Sequence, residues 1–398
     1  VGGAQKFEAL QALAEAQEAE SRRLNEANRE DLVRAEENGL SEAMVDRLRL
    51  DETRIGKMAE SVRQIAEQTD PVGQVIEGQV RPNGLRIEKV RVPLGAILFI
   101  YESRPNVTSD AAALCLKSGN GLILRGGKEA LASNTAIADL IRSTFEAHRL
   151  DPNVVQLVRT TDREAVGHLL KMEGLIDLVI PRGGESLIRA VVEQSRIPVI
   201  KHYTGNCHVY VDAGADQLGA MAEEICFNAK VQRPGVCNAA ETLLFHRESA
   251  AVLKALAPRL LEAGVTIRGC EATSQMLSGL KIQPATEEDW DREYLDLVVA
   301  VRVVGSLTEA VDHINRHGSG HTDAIVTPRI DRAERFVATV DSGNVMVNCS
   351  TRFSDGGEYG LGAEIGISTD KLHARGPMGA ADMTTYKWIV RGDGQIRT

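Results

Sequence analysis

Cys237 stands in the stretch QRPGVCNAAETLL (232–244), where a proline and a glycine precede the thiol and an apolar run follows it. Pro234 fixes its own φ and gives up a backbone donor, while Gly235 permits angles closed to other residues. A thiol in that place is either a small buried hydrophobe or a nucleophile held on a turn at the rim of a sheet. Lys230 and Arg233 lie within seven positions of it, and nearby cations pull a thiol below its free pKa of about 8.5. On these residues alone both readings stay open.

A second group lies in YESRPNVTSD (101–110), between the apolar run GAILFIY and a helix that Ser109 or Asp110 could cap. Open α/β sheets bind ligands at the carboxyl ends of their strands. There the amide of Asn106 could serve a developing oxyanion, and Arg104 could meet an anion. Equally, Asn106 could be a turn residue beside a turn proline. VIPRGGESLIRAVVE (179–193) also passes from strand to helix, through paired glycines. Backbone N–H groups at such a helix start can cradle a phosphate or face a flat cofactor ring, although an ordinary βα turn has the same letters. The glycine-rich DGGEYGLGAEIG (355–366) follows no strand near a domain start and reads as a loop. The nine histidines include no HExxH, and the Cys/His pairs lack structural zinc spacing, so no metal is expected.

The elements that must hold these residues follow from texture. About the first seventy residues are rich in Ala, Leu, Glu and Arg, which predicts one helix ending at Gly39 and a second from Ser41 towards Pro71. Their apolar spacing does not settle into heptads, so they are expected to pack on a domain. From Val80 onward, short β-branched runs alternate with helical stretches: GAILFIY, GLILRGG, NVVQLVRT, LIDLVIPRGG and PVIKHYTGNCHVYVD. That alternation predicts a parallel, doubly wound α/β sheet. It resumes after Cys237 as a second α/β unit with ETLLFH, GVTIRG, LDLVVAVRVVG, DAIVTP and GNVMVN. The tail MTTYKWIVRGDGQIRT reads as a late strand able to pair with GLRIEKVRV (84–92) as an arm joining subunits.

Composition bounds the function. The 398 residues allow more than one domain, and 43% hydrophobic with 26% charged is a globular balance. A net charge of −10 argues against a nucleic-acid partner. No run is long enough to span a bilayer, and VGGAQKFEAL lacks a signal-peptide core, so a cytoplasmic chain with no membrane partner is expected. The six cysteines show no CxxC spacing and read as reduced thiols.

Taken in order, PLGAILFIYESRPNVTSDAAALCLKSGNGLILRGGKEA, PRGGESLI, KHYTGNCHVYVD, QRPGVCNAAETLL, GSGHTDAIVT and DGGEYGLGAEIGISTDKLHARGPMG resemble the γ-glutamyl phosphate reductases. These are also called glutamate-5-semialdehyde dehydrogenases and form a branch of the aldehyde dehydrogenase superfamily. The resemblance covers essentially the whole chain, with no kinase domain expected ahead of it. It implies an α/β, aldehyde dehydrogenase-like fold. The expected parts are a Rossmann-type dinucleotide-binding domain (1–80 and 93–206), a catalytic α/β domain (207–372) and a bridging or oligomerisation arm (81–92 and 383–398).

The resemblance also implies roles. Cys237 falls at the nucleophile, and Asn106 at the oxyanion-hole amide. Gly183 and Gly184, with Ser186 after them, fall at the cofactor loop. Arg125 and Lys128 fall where the adenosine ribose is contacted, and two cations there suit NADP(H) over NAD. Glu293 matches the glutamate that touches the nicotinamide ribose. Hydrolytic relatives carry a water-activating glutamate in ELGG, where this chain has HYTG with His202 at or next to that place. An enzyme exchanging its acyl group with phosphate needs no such base.

The expected reaction is NADPH-dependent reduction of L-glutamyl 5-phosphate to L-glutamate 5-semialdehyde and phosphate through a cysteine thioester, the second step of proline biosynthesis from glutamate. Arg104, Lys201, Arg233 and Arg352 are the candidate cations for the anionic substrate. A homo-oligomer is expected, with glutamate 5-kinase as a pathway neighbour. A CoA-acylating aldehyde dehydrogenase, or an inactive scaffold of the same fold, are the alternatives.

Overall fold

The computed structural model describes residues 1–397, and these divide into two compact units. One comprises residues 1–201, 360–366 and 377–397, the other 202–359 and 367–376.

The first unit begins with α1 (Gly3–Ala19), α2 (Ser21–Glu37), α3 (Glu42–Leu48) and α4 (Glu52–Glu67). Strands β1 (Val75–Val80), β2 (Arg86–Pro93) and β3 (Ala96–Tyr101) follow, then α5 (Asn106–Ser118) and β4 (Gly121–Gly126). The chain continues through α6 (Leu131–Ala147), β5 (Val155–Leu157), α7 (Arg163–Leu169), β6 (Leu178–Arg182) and α8 (Glu185–Gln194).

Each of the two long helices predicted at the start is divided. The break at Glu20 lets α1 pack on α4 while α2 packs on α6. The second division has a sequence cause, because two N-caps stand close together. Ser41 accepts from the Met44 N–H at 3.4 Å, and Asp51 accepts from the Arg54 N–H at 2.9 Å. Asp31 on α2 caps the first turn of α6 from outside, accepting from Ala132 N at 3.1 Å and Ser133 N at 2.7 Å. Burial holds the Asp31 carboxyl above its ordinary pKa.

The sheet of this unit is parallel, in the order β5-β4-β3-β6. β3 is covered on both faces, which is why AILFIY reads as a continuous apolar run without alternation. Leu98, Ile100 and Val179 pack against Leu170 and Val191 of the α7 and α8 region.

β7 (Cys207–Val211), α9 (Met221–Val231), β8 (Ala240–His246), α10 (Ala250–Glu262), β9 (Thr266–Gly269) and α11 (Glu271–Met276) open the second unit. β10 (Gln283–Pro284), β11 (Val298–Val304), α12 (Leu307–His317), β12 (Thr322–Val326), α13 (Ile330–Thr339) and β13 (Asn344–Val347) complete its sheet. All pairs are parallel, in the order β10-β9-β11-β8-β7-β12-β13. Pleating sorts the central residues by face. Val209, Val211, Leu243 and Phe245 pack with α9 and α10 residues, while Tyr210, Leu244 and Ile325 pack with Ile314 of α12 and Phe336 of α13.

Short strands β14 (Gly366–Ser368) and β15 (Gly376–Met378) lie where the chain passes between units, and β16 (Thr384–Arg391) ends it. In the first unit β16 pairs antiparallel with β2, from Thr384 opposite Pro93 to Arg391 opposite Arg86. β1 completes this small sheet on the other edge of β2. The sequence gives no strand signal for β1: all of its residues are exposed and a glycine interrupts it.

Candidate active site

Three neighbouring strands of the second unit, β8, β7 and β12, begin side by side, with Cys207 opposite Ala240 and His208 opposite Asp323. The segments entering them carry Cys237, His202 with Cys207, and His321. The ligand atoms of His202, Cys237 and His321 all lie within 4.8 Å of one another. The sequence reading looks to strand carboxyl ends for ligands, yet here the reactive groups gather at amino ends.

Cys237 is half-buried on a turn closed by the Ala239 N–H to the Val236 carbonyl at 3.0 Å. The turn is anchored next door, where Asn238 donates to the Ser354 carbonyl at 2.8 Å. Gly205 lies directly against it, and a Cβ there would come within 2.6 Å of the Cys237 carbonyl carbon. The Gly205 N–H donates to Glu293 at 2.8 Å, which brings that carboxylate beside the thiol's turn. This engagement explains why PVIKHYTGNCHVYVD becomes a strand only from Cys207: the backbone of 205 bonds to a side chain and not to a neighbouring strand.

Cys207 is fully buried and donates to the Cys237 carbonyl at 3.1 Å. Burial pushes its own thiol well up in pKa. His202 Nδ1 lies 2.8 Å from the Ile367 carbonyl, and its ring meets that of His321 edge-on at 5.4 Å.

Arg233 lies near enough to Arg352 for its charge to act on it. Arg352 donates from Nε to Gln232 at 2.8 Å. Burial, and then the like charge of Arg233, hold its guanidinium below the ordinary arginine range, while Cys237 and Asp355 act in the opposite sense. Lys230, expected near the thiol as a cation, is instead buried and paired with Glu241 at 2.6 Å. Burial dominates both partners, lowering the lysine and raising the carboxyl.

In the first unit Asn106 opens α5, is exposed, and donates from Nδ2 to Asp110 at 3.0 Å. Burial pushes Asp110 up to about 7, against the Asn106 hydrogen bond and Arg182. One of the two amide protons of Asn106 is thereby held, and the other is left to donate. Arg104 and Lys201 are half-buried in this unit. Arg125 is buried, and its guanidinium donates to the carbonyls of Gly126 at 2.6 Å and Thr161 at 3.1 Å. It therefore braces the loop after β5, whereas Lys128 nearby is exposed.

Gly183 and Gly184 join β6 to α8. A Cβ at 183 would come within 2.7 Å of Leu187 and would also strike Glu102, but one at 184 meets nothing within 4 Å. Gly184, Glu185 and Ser186 are exposed at this helix start, with Glu102 accepting from the Gly184 N–H at 3.1 Å. Such an open, glycine-built turn fits the approach of a cofactor ring or phosphate.

Residues 5–273 and 288–388 match the model of the aldehyde dehydrogenase family. The chain belongs to the aldehyde dehydrogenase family. It is an oxidoreductase, and membership implies a nicotinamide cofactor. The chain is 54% identical over 398 residues to the γ-glutamyl phosphate reductase of Moorella thermoacetica, covering 100% of this chain and 94% of that one. It is 55% identical over 393 residues to that of Rhodopirellula baltica, covering 98% and 88%. The crystal structure of γ-glutamyl phosphate reductase from Thermotoga maritima superposes with a TM-score of 0.95 at 43% identity, covering 100% of this chain and 95% of that one. An acetylating aldehyde dehydrogenase from Geobacillus thermoglucosidasius shares the fold at 17% identity and a TM-score of 0.69, covering 100% and 94%. Among the described residues, no helix is long and apolar enough to cross a membrane.

Sequence reasoning missed His321 and Cys207 as neighbours of the thiol. The available signal was a histidine ending the glycine-rich GSGH immediately before a buried strand.

Proposed function

We propose that the protein reduces L-glutamyl 5-phosphate to L-glutamate 5-semialdehyde with NADPH, releasing phosphate. The observation that carries this proposal is the setting of Cys237. A half-buried thiol stands on a braced turn, with the Arg233–Arg352 pair in its electrostatic surroundings and a histidine, His202, beside it. The names of relatives at 52–56% identity support the same substrate.

In the proposed reaction the Cys237 thiolate attacks the γ-carbonyl carbon. The oxyanion is held by the second amide proton of Asn106 and the backbone N–H of Cys237. The carbon–oxygen bond to phosphate then breaks and leaves a thioester on Cys237. Arg104, Lys201, Arg233 and Arg352 are the proposed anchors for the phosphate and the α-carboxylate. Gly183, Gly184 and Ser186 would hold the cofactor, with Glu293 at its ribose and Arg125 and Lys128 towards the adenosine end. Of that pair, Lys128 has the exposed charge that a 2′-phosphate needs, while Arg125 shapes the loop. NADPH bound there supplies a hydride to the acyl carbon. Cys237 leaves as thiolate and frees the semialdehyde, which cyclises to pyrroline-5-carboxylate, the precursor of proline. HYTG, with His202 at or next to the place of the water-activating glutamate, supplies no carboxylate there, and in this proposal the thioester is resolved by hydride or phosphate.

The exposed Tyr386, Trp388 and Val390 on β16 support the further proposal of a homo-oligomer joined through the small antiparallel sheet. The thioester is tested by quenching the enzyme with semialdehyde and NADP⁺ in the absence of phosphate. Peptide mapping is expected to find a glutamyl adduct on Cys237; an unmodified Cys237 after a burst of NADPH has formed under these conditions would refute the covalent route.

A further inference from the structure

We propose that His202, Cys237 and His321 form a reversible binding site for a borderline-soft divalent cation of the zinc class, which silences the thiol while it is bound. The ligand atoms lie within 4.8 Å of one another. A tetrahedral zinc with bonds of about 2.0–2.3 Å needs its donors roughly 3.3–3.6 Å apart. Side-chain rotations of about an ångström close that gap, and all three residues belong to one compact unit.

What makes the cluster more than a coincidence of residue types is its outer layer. His202 Nδ1 faces the Ile367 carbonyl at 2.8 Å, an atom that only accepts, so Nδ1 carries the proton and Nε2 the lone pair. His321 Nδ1 lies 2.8 Å from Thr322 Oγ1, whose own proton goes to Ser354 Oγ at 2.8 Å. Thr322 therefore accepts from His321, and the Nε2 of this ring too is left in the acceptor form. A carbonyl behind one ring and a hydroxyl relay behind the other are the partners that orient metal-ligating imidazoles. Cys207, the remaining thiol close by, donates to the Cys237 carbonyl at 3.1 Å, and its sulfur lies 3.7 Å from His321 Nδ1, where with its own proton so placed it can only accept. The fourth position would be left to water or an anion.

The binding stands on this geometry alone; its inhibitory effect rests on the reading of Cys237 as nucleophile. Reduced, metal-free full-length protein is titrated with Co²⁺ and Zn²⁺, following the cobalt spectrum and the NADP⁺-linked oxidation of the semialdehyde in parallel. The expected result is one ion per chain, a thiolate-to-cobalt charge-transfer band with four-coordinate d–d intensity, and loss of activity that a chelator restores. His202→Gln and His321→Gln, each first shown to keep the wild-type unfolding midpoint, should weaken binding about tenfold or more, as loss of even an outer-layer partner costs about 10–100-fold. Cys237→Ser should abolish the charge-transfer band, and Cys270→Ser should change nothing. Zinc inhibition untouched by both histidine substitutions would overturn the site and leave the nucleophile standing. A three-ligand cobalt spectrum with full activity would establish the site and refute the nucleophile.

Discussion

The backbone of Gly205 presses on that of Cys237, and a Cβ at 205 would come within 2.6 Å of the Cys237 carbonyl carbon. The contact ties the segment entering β7 to the turn bearing the thiol, and Glu293 closes it through the Gly205 N–H. Gly205→Ala must push the two apart, at a cost of roughly 1–3 kcal/mol for overpacking. The expected outcome is a folded protein with a lowered unfolding midpoint and a large loss of turnover. Unchanged alkylation rate of Cys237 and unchanged kcat in that variant would show that the contact does not position the thiol.

Asn106 should act on turnover more than on folding, because it is exposed and its side chain bonds only locally to Asp110. Asn106→Ala is expected to lower kcat about 10²–10³-fold, the effect of removing one oxyanion donor, with the circular dichroism spectrum intact. A near-normal kcat would remove Asn106 from the mechanism.

Asp110 makes a pH prediction with a definite sign. Its ordinary pKa is 3.8, and burial raises it to about 7 in the folded chain. Between those values the native state holds the proton more often than the unfolded state, so the Asp110 contribution to stability falls as pH rises from about 4 to about 7 and is flat above that. Urea midpoints measured across this range should lose that falling component in Asp110→Asn. An identical pH profile in the variant would mean the carboxyl titrates normally.

Arg233 and Arg352 are expected to act on binding. Arg352→Glu places an anion beside Arg233 and the thiol turn, and should raise KM for phosphate in semialdehyde oxidation sharply. Arg259→Glu, a partly exposed ion-paired residue on α10, should leave KM within about twofold, as exposed ion pairs contribute little. Equal responses in the two variants would place Arg352 on the general surface.

The parts of this architecture that can be read from sequence are those written locally. AILFIY, the LLF of AETLLFH and the VVAV of VVAVRVV are apolar because successive residues of these strands are buried on both faces. Cys237 is conspicuous because a turn is spelled out on its amino side. Where geometry depends on strand order, the letters are silent. His202, Cys237 and His321 meet only because β7 lies between β8 and β12, an order that chain sequence does not reveal. Arg125 stands at the end of a strand as a cofactor-binding cation would, yet its partners are the carbonyls of the neighbouring Gly126 and of Thr161 on a distant loop. β1 lacks an apolar face altogether and is defined by its pairing with β2. The division of the opening helices shows the same contrast, since the cap at Asp51 is a local signal and the break at Glu20 answers to packing.

The central claim, that Cys237 carries the acyl group and phosphate takes it away, is tested most directly by NADP⁺ reduction with pyrroline-5-carboxylate, with and without inorganic phosphate. The expected result is sustained reduction only with phosphate, at most a single-turnover burst without it, and neither in Cys237→Ala. Sustained reduction in the absence of phosphate would contradict the account, because water would then resolve the thioester.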